Sequence, residues 1–143
     1  VRRLDKPQLT QKERKSVFRR ILVPVDLSDT HQQAIDIAAQ LANEGGGQVT
    51  LLHVVEVIPG LWVEGERDFY DRIEAAARDH LTRLGRRLEE MHVPRREEII
   101  FGNRAEEIVR YAMEMGIELI VLSSHRIDLK NPGAGWGTLS YKI

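Results

Sequence analysis

With 143 residues, no cysteine and a formal net charge of −1, the chain has the length of one domain around one continuous core. Disulfides, thiolate metal sites and cysteine nucleophiles are excluded. No apolar run reaches the roughly 18–20 residues that span a bilayer and no signal-peptide pattern is present, so a cytoplasmic protein is expected.

The small net charge hides an asymmetry. Residues 1–20 carry eight Lys or Arg against Asp5 and Glu13, a balance of +6, which leaves −7 for the remainder. Residues 1–20 therefore read as a basic, flexible N-terminal arm and residues 21–143 as an α/β domain. Such an arm can bind nucleic acid or an acidic membrane surface, but no interleaved aromatics or reading motif accompany it, and a solvated tail is the simpler reading.

Ile21-Leu22-Val23 is the first buried strand, and Pro24 ends it because proline cannot donate to a central ladder. Ser28 or Asp29 is placed to cap the following helix, whose Ala34, Ala38, Leu41 and Ala42 form a stripe flanked by Ile35 and Ile37. Gly45-Gly46-Gly47 stops it. Residues 48–55 are almost continuously apolar and read as a central strand; a loop with Pro59 and Gly60 follows. The clearest helix runs from Asp68 to Met91, with Phe69, Ile73, Ala77, Leu81, Leu84, Leu88 and Met91 on its apolar stripe and a mixed-sign solvated face opposite. Residues 98–101 are a third strand, and Ala105–Met115 a third helix with Ile108, Val109 and Ala112 inward and Gly116 in a left-handed cap. Ile117–Leu122 is the fourth strand. This alternation implies right-handed crossovers and a parallel sheet covered on both faces, with ligands gathering beyond the carboxyl ends of its strands.

Two polar segments lie at such ends. Pro24-Val25-Asp26-Leu27-Ser28 follows the first strand, and Ser123-Ser124-His125-Arg126 follows the fourth. Gly133, Gly135 and Gly137 then loosen the backbone before Thr138 opens another helix. Free amides at Gly137 and Thr138 favour an anion, to which Arg126, Lys130 and the Thr138 hydroxyl can add donors, so a phosphate-bearing small molecule is a candidate ligand; internal pairing of Arg126 in a closed crevice is the alternative. No lysine follows Gly137 to make a P-loop. The five histidines show no spacing for zinc; His53, His80 and His92 read as structural, and His125 is the one at the crevice.

Taken together, Ile21-Leu22-Val23-Pro24-Val25-Asp26-Leu27-Ser28, Leu51-Leu52-His53-Val54-Val55, Gly102-Asn103-Arg104-Ala105-Glu106-Glu107-Ile108 and Glu118-Leu119-Ile120-Val121 resemble the universal stress protein family over about residues 20–140. The resemblance implies a Rossmann-like α/β domain with strand order 3-2-1-4-5 and helices on both faces, homodimeric through a fifth strand that is missing from the chain as it stands. It also implies, for ATP-binding members, that Pro24 and Asp26 border the adenosine, that the Val54 main chain meets the base, and that a G-2x-G-9x-G-S/T loop holds ribose and phosphates. Here Ser123 and Arg126 stand at the first two glycines, ten residues separate Arg126 from Gly137, and only Gly137-Thr138 survives. Side chains at both positions crowd a ribose or diphosphate.

The expectation is thus a non-enzymatic stress-response binding protein with little or no ATP in the usual grip, its candidate ligand residues being Pro24, Val25, Asp26, Val54, Ser123, His125, Arg126, Gly137 and Thr138. The alternative is a sensor of ATP, ADP or AMP in which Arg126 joins the phosphate grip. No metal-binding or catalytic set is expected, since nothing in the spacing of Asp26, Ser123, Ser124 and His125 fixes a triad.

Overall fold

The computed structural model describes residues 18–57 and 67–124, together with Lys130. Strands β1 (Arg20–Pro24), β2 (Gln48–Glu56), β3 (Arg95–Gly102) and β4 (Leu119–Ile120) alternate with helices α1 (Gln32–Gly45), α2 (Arg67–Glu90) and α3 (Arg104–Glu114). The strands form one sheet in the order β3-β2-β1-β4, and every pairing is parallel. All their carboxyl ends therefore share one edge. The order matches the first four strands expected from the sequence.

Alternation along the two central strands divides the core. Ile21, Val23, Val49 and Leu51 pack with Ala34, Ile35, Ala38, Ala39 and Ala42 of α1 and with Leu81 and Leu88 of α2. On the opposite face Leu22, Leu52 and Val54 pack with Ile108 and Tyr111 of α3. Strands buried on both faces need apolar runs such as residues 21–23 and, interrupted only by His53, residues 51–55.

Several boundaries differ from the sequence expectation. Helix α1 begins at Gln32, and neither Ser28 nor Asp29 caps it; His31 holds that position without a side-chain cap bond. The reason is local, because the Ser28 amide donates to Asp26 Oδ1 at 2.8 Å and the Ser28 hydroxyl pairs with Thr30 Oγ1 at 2.8 Å. In α1 the buried stripe includes Ile35, whereas Ile37 is 44% exposed. Phe69, expected inward, is 57% exposed, since full burial along α2 starts only at Ala77; its ring meets Tyr70 edge-on, and Tyr70 meets Phe101. Strand β3 starts three residues earlier than expected, at Arg95. It lies at the end of the described sheet, where charged side chains are tolerated. Strand β4 is reduced to two residues. Val121 still donates to the Leu22 carbonyl at 2.9 Å, but the next rung would need an amide hydrogen from Pro24, which has none. Asn103 caps α3 by accepting from the Glu106 amide, and Gly116 has the expected left-handed backbone, φ 61°.

At the amino edge of the sheet, Glu118 ties β4 to the start of β1. Its Oε2 accepts from the backbone amides of Arg19 at 2.6 Å and Arg20 at 2.9 Å, and these bonds hold its carboxyl below the usual carboxylate range.

The α1–β2 corner gives a test of backbone packing. Gly46 is left-handed, φ 64°, with open space where a Cβ would point, while a Cβ on Gly47 would lie 2.7 Å from the Arg19 carbonyl oxygen and 2.8 Å from its Cα. Gly47→Ala should therefore lose about 1–3 kcal/mol in urea unfolding. Gly46→Asn should lose less, because asparagine tolerates the left-handed region.

Candidate functional site

Strand β1 delivers Pro24, Val25 and Asp26 to the carboxyl edge of the sheet, between β2 and the turn into α1. The main chain there is pinned from two sides. Val25 donates to the Leu52 carbonyl at 2.9 Å, and its own carbonyl accepts from His53 Nδ1 at 2.9 Å. From α2, His80 Nε2 donates to the Ser28 carbonyl at 3.1 Å, and Nδ1 accepts from Arg83 at 3.2 Å. His53 and His80 are both buried. They hold the 25–28 backbone in place, as the structural reading of these two histidines requires.

A third buried histidine lies at the centre of the site. His31 Nε2 is 2.8 Å from Asp26 Oδ1, and Nδ1 is 2.8 Å from Ser123 Oγ, just beyond β4. The same Nε2 lies 3.0 Å from the Asp26 amide nitrogen. One nitrogen cannot donate to the carboxylate and also accept from that amide. The charge-assisted bond is roughly twice as strong as a neutral one, so Nε2 carries the proton. In the neutral ring Nδ1 is then the acceptor, and Ser123 donates its single hydroxyl proton to it. His31 thus bridges the β1 and β4 loops at the point where the strand order reverses.

Burial opposes the negative charge of Asp26, but hydrogen bonds from Ser28 and His31 outweigh it, and the carboxyl titrates well below the usual carboxylate range. A carboxyl whose folded pKa is depressed contributes stability above its unfolded pKa, near 3.8, and loses that contribution as the pH falls toward the lower folded value. Wild type should therefore lose stability more steeply below about pH 4 than Asp26→Asn. Urea midpoints collected between pH 6 and pH 2.5, at about unit steps, check this slope.

Of the residues nominated from sequence, the fold brings Pro24, Val25, Asp26 and Ser123 to one edge. Val54 sits on the adjacent β2 with its side chain in the α3-side core. His125, Arg126, Gly137 and Thr138 lie outside the described residues. His31 was not nominated. Its partners are 5 and 92 residues away, so no spacing rule links them, and placing the helix start at Ser28 or Asp29 concealed it.

A parallel α/β sheet with helices on both faces, and polar residues gathered where its strand order reverses, defines a Rossmann-like domain. The chain belongs to the universal stress protein family, whose model matches residues 18–134. It is 29% identical over 112 residues to universal stress protein MJ0531 of Methanocaldococcus jannaschii, covering 76% of this chain and 66% of that protein, so it spans a little under two thirds of that relative. It superimposes on universal stress protein UspA from Lactobacillus plantarum with a TM-score of 0.68 at 27% identity, covering 87% of this chain and 89% of that one. A universal stress protein from Archaeoglobus fulgidus, solved in complex with dAMP, shares the fold with a TM-score of 0.57 at 24% identity, over 74% and 81% of the two chains.

Proposed function

We propose that this universal stress protein acts by binding rather than turnover, and that at neutral pH it holds little or no ATP in the usual grip. The carrying observation is the His31 bridge. It engages the Ser123 hydroxyl and Asp26 Oδ1, two of the groups that border the candidate ligand crevice. The dAMP complex of the Archaeoglobus fulgidus relative supports adenine nucleotides as the ligand type to test. The same reading makes the protein a cytoplasmic homodimer, which fractionation and light scattering test. Among the described residues no helix is long and apolar enough to cross a membrane.

Calorimetry with ATP, ADP and AMP on wild type, His31→Ala and Arg126→Gly separates this reading from the sensor. Wild type should bind ATP more weakly than about 1 mM, and His31→Ala should bind it more tightly because the Ser123 hydroxyl is released. Micromolar ATP affinity in wild type, lost in Arg126→Gly, would establish the sensor instead. Steady ATP turnover abolished by Asp26→Ala would overturn the non-catalytic reading.

A further inference from the structure

We infer that the outer edge of β3 is a docking surface for a second copy of this chain, which pairs with it antiparallel about a two-fold axis at Glu97. This rests on the homodimeric reading above and names the surface that forms the dimer. Strand β3 runs eight residues at one end of the described sheet, whereas β4 at the other end has two and offers no comparable ladder. Val49 donates to the Pro94 carbonyl at 2.9 Å, which opens a parallel ladder in which Arg96, Glu98 and Ile100 turn their amides and carbonyls toward β2. The N–H and C=O groups of Arg95, Glu97 and Ile99 therefore point outward, and among the described residues no strand pairs with them. Such a row is a template for another strand.

Charge selects both the partner and the register. Charged side chains on an edge turn most strands away, but the run Arg95-Arg96-Glu97-Glu98 complements itself when reversed. Ile99 packs on the α1 and α2 side and Ile100 on the α3 side, so Arg95 and Glu97 belong to the first face, Arg96 and Glu98 to the second. A two-fold axis perpendicular to the sheet keeps each face on its own side, so a residue can oppose only one from the same face. Centred on Glu97, the axis sets Arg96 against the partner's Glu98 and Glu98 against the partner's Arg96. Arg96 is exposed, and among the described residues neither it nor Glu98 has an ion pair to give up. On the other face Glu97 meets the partner's Glu97, but each is already offset by Arg95 at 3.0 Å and accepts from the Thr82 hydroxyl at 3.1 Å. At the axis each Glu97 amide donates to the partner's Glu97 carbonyl, and Arg95 exchanges the flanking bonds with the partner's Ile99. Centring one residue later would oppose Glu98 to the partner's Glu98 and lose both ion pairs.

The chain has no cysteine, so a single introduced thiol reads the register. Hydrogen-bonded antiparallel pairs hold their Cα atoms about 5.5 Å apart, within disulfide reach. Under mild oxidation the full chain carrying Glu97→Cys should form a covalent dimer about tenfold or more faster than the chain carrying Glu98→Cys. Light scattering across a dilution series reads the charges. Arg96→Glu or Glu98→Arg should weaken the dimer about tenfold or more, since each turns two attractive pairs into two repulsive ones, and the two together should return it to within about threefold of wild type. A dimer indifferent to both reversals, with equal cross-linking through Glu97→Cys and Glu98→Cys, overturns the edge and leaves the homodimeric reading intact. Faster cross-linking through Glu98→Cys overturns the register. Single reversals that weaken the dimer without mutual rescue overturn the pairing of Arg96 with Glu98. A wild-type chain that stays monomeric at about 1 mM overturns the homodimer together with its surface.

Discussion

Ile35→Ala should destabilise the fold by about 2–5 kcal/mol, whereas Ile37→Ala should leave stability within about 0.5 kcal/mol of the parent. The two residues share a helix, a side chain and a mutation, and differ in direction. Ile35 is fully buried between α1 and the sheet, packed with Ile21, Val23 and Leu51, and truncation leaves a cavity that close-packed strands cannot collapse. Ile37 points to solvent, and alanine there has the better helix propensity. Urea midpoints at constant m-value measure both. Equal losses at the two positions would mean that the face of α1 is assigned wrongly.

The second large effect falls at the bridge. His31→Ala should cost about 1–3 kcal/mol, because the Ser123 hydroxyl loses its partner and Asp26 loses its charge-assisted donor. The loss should be local as well as global. Val121 donates to the Leu22 carbonyl just before Ser123, and its amide should exchange faster in the variant, while amides in the longer β1–β2 ladder should change less. A double-mutant cycle of His31→Ala with Ser123→Ala should be non-additive by at least about 0.5 kcal/mol. Additivity would show that the two side chains do not interact in solution.

How much of this was legible in the sequence depended on the range of the forces involved. The central strands were readable because burial on both faces demands runs such as Leu51-Leu52-His53-Val54-Val55, and Gly116 because the end of α3 needs a left-handed residue. The stripe of α1 was blurred because Ile35 and Ile37 are both apolar, and only the sheet decides which one turns inward. The first half of β3 was hidden by Arg95, Arg96, Glu97 and Glu98, whose charges are admissible only because the strand lies at the end of the described sheet. Topology alone puts Asp26 and Ser123 at the carboxyl edge of the sheet. Its central residue was not found, because a hydrogen bond between positions 31 and 123 leaves no periodic trace in the chain.

The Glu118 tie has a consequence for how the protein can be used. It fixes Arg19 and Arg20 at the amino edge of the sheet, the edge away from Asp26, His31 and Ser123. The basic segment preceding β1 therefore joins the domain at one pole, while the candidate ligand crevice opens at the other. A macromolecule recruited electrostatically at the first pole and a small molecule seated at the second would occupy separate ports. Titrating one should leave the affinity of the other unchanged unless the sheet between them transmits strain.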